Sequence, residues 1–169
     1  MSVLIDREIE MLCRTDPPLI RGFRSWENQL QPSGFDLTLA SVVRPIGGGV
    51  IRAEIGKNVQ ARRESLAPGA DGYFDLGPGY YVVEFNEVVS LPKDVFAVSY
   101  TRSTLIRYGG QLVTGVWDAG FSGPSRCGLV VHCGEGLRVE RDAMLMQMVF
   151  HRLSGESTGF KHNHLYTER

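Results

Sequence analysis

The sequence predicts an all-β protein, a distorted jelly roll or β-barrel carrying one or two short helices. Three observations carry this. From Tyr73 onward, β-branched and aromatic runs follow one another, broken by turn chemistry at Gly77-Pro78-Gly79 and at Leu91–Asp94. Further short apolar runs at 127–134, 137–144 and 145–153 keep the same turn-separated spacing. Helical periodicity is confined to two small stretches, so a closed or sandwiched sheet is the architecture that can bury so many strands.

Taken in order, residues 4–14 place Ile5, Ile9 and Leu12 at helical spacing with Asp6 and Glu8 near the start, a short amphipathic helix that Asp16-Pro17-Pro18 ends. Residues 32–34 are turn chemistry, and 35–39 (FDLTL) alternate as a strand. Residues 44–72 are rich in glycine and charge and read as a loop-bearing hairpin or a partly mobile excursion. Gly47–Gly49 is not a phosphate loop of the Lys-Ser/Thr type, because no Lys followed by Ser or Thr stands in place. Residues 154–169 are polar and without periodicity, a composition that favours a flexible arm. No repeat or low-complexity segment divides the chain, and 169 residues suit one domain.

Composition narrows the function classes. With 18 basic and 19 acidic residues the net charge is −1, so no broad basic footprint for nucleic acid exists and any phosphate binding is local. Cys13, Cys127 and Cys133 are odd in number and lack metal-ligand spacing, which fits free thiols in a reducing cytoplasm. No apolar run reaches membrane-spanning length, and no signal-peptide profile opens the chain. His132 and Cys133 lack the partner motif of a zinc deaminase, and His162 and His164 lack partner ligands.

The stretch Tyr100–Gly123 holds the candidate chemistry. Its first part predicts a strand end feeding a short helix, with Ser103 or Thr104 as N-cap, Leu105 and Ile106 as apolar face and Gly109 as the left-handed stop. Arg102 beside two hydroxyls and a helix start suits an anion such as phosphate. The second part puts a lone carboxylate, Asp118, in a glycine-rich turn. Cradle and carboxylate together suit phosphate-ester hydrolysis. The same residues also suit a capped surface helix followed by an exposed turn aspartate.

Motif likeness weighs on the first reading. Residues 100–107 (YTRSTLIR) resemble the GRSSLAR-type motif of dCTP deaminases and the PRSG motif of dUTPases. Residues 114–123 (TGVWDAGFSG) resemble the GVIDxDYxG motif of trimeric dUTPases, residues 31–37 the SAGYDL motif, and residues 144–150 the RIAQLI motif. The chain is thereby similar to the dUTPase and dCTP deaminase superfamily, most closely to archaeal-type dUTPases. That resemblance implies a dUTPase-like fold, a homotrimer, dUTP as partner and Mg2+ as cofactor. It implies phosphate contacts from Arg102, Ser103, Thr104, Arg107 and Gln147, and a magnesium hydration shell met by Asp36. Asp118 is implied to activate water, Phe121 to pack on the deoxyribose, and Thr114, Gly115 and Val116 to read the pyrimidine edge. The tail departs from the family's closing motif, so Ser157, Thr158, Gly159, Lys161 and Tyr166 stay open as contacts over the phosphates. Two rivals share the scaffold: a dCTP deaminase or bifunctional enzyme, and a non-catalytic nucleotide-binding regulator. The family's deaminases carry a glutamate where the count from Gly123 reaches Gly128, and they place one more residue between the threonine and aspartate than Thr114–Asp118 does. Both departures favour the dUTPase form.

Overall fold

One long strand sets the architecture. Residues 34–46 run thirteen positions with a single turn-free pattern, long enough to serve two sheet layers in succession. The computed structural model describes residues 2–54 and 56–161. In chain order its elements are β1 (Ser2–Val3), α1 (Asp6–Cys13), β2 (Ile20–Arg21), α2 (Trp26–Gln29), β3 (Leu30–Gln31), β4 (Gly34–Ile46) and β5 (Arg62–Leu66). Then follow β6 (Tyr73–Leu76), β7 (Gly79–Ser90), β8 (Val95–Thr101), α3 (Ser103–Arg107), β9 (Gly110–Val113), β10 (Ser122–Val131), β11 (Leu137–Glu140) and β12 (Met144–Arg152).

The sheet is antiparallel and curled. The first half of β4 pairs with β12, Phe35 opposite Met148 and Asp36 opposite Gln147, while β12 pairs on its other side with β8. After an irregularity at Ala40 the second half pairs with β7, Val42 opposite Val83, and with β5. β7 continues to β10, and β10 to β9; β6 and β11 form a separate ribbon. Between the layers lie Phe35, Leu37, Phe85, Met146, Met148 and Phe150, all essentially inaccessible. Burying each of these side chains stabilises the fold by about 1.5–3 kcal/mol. Burial also pushes the Cys127 thiol up to about 12, so this cysteine behaves as a core apolar group.

The expected all-β class is borne out, with differences in detail. The described residues hold three helical segments, because Trp26–Gln29 forms a turn of helix that has no periodicity to announce it. The hairpin expected over 44–72 is present: β5 returns along the end of β4, and Val50 bridges Val59 beyond it. The first helix is shorter than the residues with helical spacing, Asp6–Cys13, with Ile9 buried and Glu8 accepting the Ile5 N–H.

The layers are pinned by a buried carboxylate. Alternation along β7 turns Tyr81, Val83, Phe85, Glu87 and Val89 inward. Glu87 is wholly buried, and its oxygens accept from the Thr38 N–H (2.9 Å), the Thr38 hydroxyl (2.6 Å) and the Gln29 amide (2.7 Å). The Gln29 amide also donates to the Asp36 carbonyl at 2.8 Å, while its oxygen accepts the N–H groups of Arg24 and Ser25. Three donors around one carboxylate replace the water it loses on burial. In Glu87→Gln an amide nitrogen faces a donor at one of these contacts. We expect that variant to lose about 1–3 kcal/mol of stability, measured as a lower denaturant midpoint at unchanged slope.

Candidate functional site

The candidate residues fall into two groups, at opposite ends of β8. The first lies where β4, β12 and β8 run side by side. Asp36 stands opposite Gln147, and Gln147 opposite Tyr100, so the carboxylate, the carboxamide and the strand leading to Arg102 share one row. Arg102 is tied there three ways: its backbone N–H donates to the Leu145 carbonyl (3.0 Å), Nη1 donates to the Met144 carbonyl (3.2 Å), and Nε lies 3.1 Å from Asp36 Oδ2. Gln31 donates a second hydrogen bond to the same oxygen at 3.0 Å. Asp36 is almost fully buried, and its Oδ1 has no hydrogen-bond partner among the described residues. Burial pushes its carboxyl up from 3.8 to about 6, although the Arg102 guanidinium and then the Gln31 amide pull it down.

Neither Ser103 nor Thr104 caps α3. Arg102 holds the N-cap position in extended conformation (φ −64°, ψ 144°), because its hydrogen bond to Leu145 extends the β8–β12 ladder by one residue. Both hydroxyls thereby sit in the first helical turn, exposed, beside the Arg102 side chain. Arg107 is exposed on the last turn, its Nη2 3.5 Å from the Thr104 hydroxyl. The stop at Gly109 is as expected, with φ +77° and its N–H on the Ile106 carbonyl.

The second group surrounds Asp118. β9 separates from β10 after the pair Val113–Gly128, and the chain crosses to β8: the Thr114 hydroxyl donates to the Ser99 carbonyl and Trp117 bridges Ala97. The splayed strands leave a cavity of about 120 Å3 whose wall includes Gly115, Val116, Asp118, Phe121 and Arg126. That is below the roughly 300 Å3 of a whole small-molecule site and suits one ring of a larger ligand. Gly115 and Val116 have no backbone hydrogen bond among the described residues, which leaves their polar groups for a ligand edge. Phe121 is buried, its ring edge-on to Phe160 at 5.7 Å between centroids. Asp118 is exposed at the rim and also borders a larger cleft of about 510 Å3 with Ser157, Thr158, Gly159 and Lys161. Ser157 donates to the Lys93 carbonyl, and a side chain at Gly120 would meet the Phe160 N–H at 2.8 Å, so 157–160 lie across the Asp118 turn. The remainder of the expected arm, residues 162–169 with His162, His164 and Tyr166, lies outside the described residues.

Two residues of interest were not among the sequence candidates. Gln29 and Arg126 gave no motif signal; strand parity alone would have set Arg126 on the face of β10 opposite to buried Cys127 and Leu129.

The antiparallel, curled sheet is a jelly roll that carries the Arg102 group at one end of β8 and the glycine-framed Asp118 toward the other. The family model described as dCTP deaminase-like matches residues 3–153, and the chain belongs to that family. It is 37% identical over 156 residues to a protein of Methanococcoides burtonii, 92% of each chain, and 38% identical over 161 residues to one of Archaeoglobus fulgidus, 95% of this chain and 94% of the other. Both bear the name probable deoxyuridine 5'-triphosphate nucleotidohydrolase. Among solved structures, 2'-deoxycytidine 5'-triphosphate deaminase from Agrobacterium tumefaciens superimposes with a TM-score of 0.67 at 21% identity over 88% of this chain. The chain spans about half of that protein, 48% of its length. EIAV dUTPase gives 0.50 at 11% identity, covering 85% of this chain and 96% of its own. These two likenesses are of fold.

The Asp36 carboxyl makes a signed prediction. Its folded value, about 6, lies above the unfolded 3.8, so the native state keeps the proton longer. The contribution of Asp36 to stability is then largest below pH 3.8 and falls as pH rises through about 6. We expect the stability difference between wild type and Asp36→Asn to fall by on the order of 3 kcal/mol across that window. Denaturant unfolding of both proteins at each end of the window measures it, and a pH-independent difference would contradict it.

Proposed function

We propose that the chain hydrolyses dUTP to dUMP and pyrophosphate, at a site completed by a neighbouring copy of itself in a homotrimer. The observation that carries this reading is Asp118 at the mouth of a cavity sized for one base, with phosphate-type side chains gathered at the start of α3, beyond the far end of β8. The names of the archaeal relatives, at 37–38% identity over nearly the whole chain, support it.

Trp117 bridges Ala97, and Arg102 follows five positions beyond Ala97, roughly 17 Å at strand rise. Reacting groups must approach to about 3–3.5 Å. In this reading one chain supplies the phosphate half of one site and the base half of another, an arrangement that a closed ring of copies satisfies. In that arrangement Arg102 and Arg107 pair with triphosphate oxygens, the guanidinium fork matching two at once, and the hydroxyls of Ser103 and Thr104 donate alongside. Asp118 accepts the proton of a water as its oxygen bonds to phosphorus and the pyrophosphate oxygen departs. Phe121 lies against C2′ of the sugar and leaves no room for a ribose hydroxyl. Gly115 and Val116 address the pyrimidine edge through backbone groups, with Thr114 anchoring that segment to β8.

Magnesium, when bound, neutralises charge on the triphosphate and is held mainly by its oxygens. The residues fit this: the orphaned Asp36 Oδ1 and the neighbouring Gln147 carboxamide would meet its water shell. Among the described residues no three His, Cys, Asp or Glu side chains group as a protein-only cage.

The deaminase alternative needs a proton-carrying side chain at position 128. A Cβ on Gly128 would come within 2.6 Å of the Tyr80 hydroxyl, so the ring of Tyr80 occupies that space. We expect no ammonia from dCTP while dUTP is consumed; stoichiometric ammonia would restore the alternative.

Asp118→Asn should keep fold and nucleotide binding while losing about a hundred- to ten-thousandfold in turnover, read as pyrophosphate release. Near-normal turnover would remove Asp118 as the base. Mixing inactive Asp118→Asn with inactive Arg102→Ala should restore partial activity, because some mixed sites combine both intact halves. No recovery from co-refolded subunits, or a monomer by light scattering, would contradict the shared site.

A further inference from the structure

We propose that Arg126, held in place by Glu84, is a specificity-determining residue that favours a base presenting a carbonyl oxygen, uracil, over one presenting an amino group, cytosine. The inference rests on the dUTP reading above and concerns the base end of the same cavity.

The strands place the pair. Along β10, Ser125, Cys127, Leu129 and Val131 turn into the core, so Arg126 and Gly128 face the other way. Along β7, Tyr80, Val82 and Glu84 share that outer face, and Glu84 is the register partner of Arg126. Arg126 Nε donates to Glu84 Oε2, and each side chain is about one-third exposed, 36% and 33%. Among the described residues Glu84 is the one hydrogen-bonding partner of this guanidinium. Nε is thereby committed, and the Nη edge is left with donors to offer.

The cavity wall gives that edge a purpose. Of the cavity's described lining residues, Asp118 and Arg126 alone are charged. Asp118 stands at the mouth, where the reacting phosphate belongs, so Arg126 is the one cation along the base. The neighbouring outward position, Gly128, is covered by Tyr80 and carries no side chain of its own to compete there. A guanidinium only donates. The C4 carbonyl of uracil accepts from it, whereas the C4 amino group of cytosine meets it donor to donor and leaves both groups unmatched. Glu84 acts through Arg126 as a positioning residue.

The test compares kcat/KM for pyrophosphate release from dUTP and from dCTP, using the full chain as wild type, Arg126→Gln, Arg126→Lys and Glu84→Gln. Arg126→Gln should lower the dUTP value about ten- to a hundredfold, mostly through KM, while the dCTP value moves much less, so the preference narrows. Arg126→Lys should retain part of the preference, and Glu84→Gln should narrow it with Arg126 intact. An equal fall for both nucleotides, as a merely structural ion pair would give, overturns the proposal, as does an unchanged ratio. If the wild type releases no pyrophosphate from dUTP, the parent reading has failed. Calorimetric binding of dUMP and dCMP to the same four proteins then decides the matter: a dUMP preference lost in Arg126→Gln supports the role, and its absence in the wild type ends it.

Discussion

The hydrogen bonds around Glu87 are the constraint on which the rest depends. Glu87, buried with no cation paired to it among the described residues, is tolerated because Thr38 and Gln29 give it three donors, and those donors belong to β4 and α2. The same Gln29 amide reaches the Asp36 carbonyl, so the position of the Asp36 backbone is referred to the opposite layer. Apolar packing alone would let β4 slide by small amounts. A polar contact with fixed direction does not, and this is the use a buried polar network has in a sheet that must hold register across a bend.

From that fixed point the Arg102 group follows in order. Asp36 holds the Arg102 guanidinium, the β12 carbonyls of Met144 and Leu145 hold the rest of Arg102, and α3 starts where the ladder lets go. The Asp118 group is built by the opposite device. There β9 is released from β10, and a gap opens where a continued ladder would have closed it. One half is made by adding hydrogen bonds to a strand end, the other by withholding them, and β8 keeps the two apart.

Much of this was legible in the sequence, and the exceptions have physical causes. The strands announced themselves through β-branched runs and turn residues, and Gly109 through the left-handed conformation it alone adopts without strain. The cap of α3 was misplaced because the residue that ends the strand is chosen by a bond to Leu145, forty-three positions on, which local preference cannot register. α2 escaped notice since four residues carry no period, and its stability comes from the buried Gln29 side chain. Glu87 did leave a trace: it shares parity with Val83, Phe85 and Val89, a charged residue on an inward face. The grouping of Asp36, Arg102 and Gln147 could be read from motif likeness, whereas the distance between them and Asp118 required the strand register.

β12 also governs the order in which the molecule can be made. It pairs with β1 at the start of the chain, with β4 and with β8, so one strand near the far end closes three earlier ones. During synthesis these wait with open edges until residues 144–152 have emerged, and every one of those pairings spans a long loop in sequence. Such topologies fold slowly and expose unpaired edges meanwhile. A nascent chain halted short of Met144 therefore leaves β8 and the first half of β4 without their β12 ladder, and quality control would meet it as an unfinished sheet.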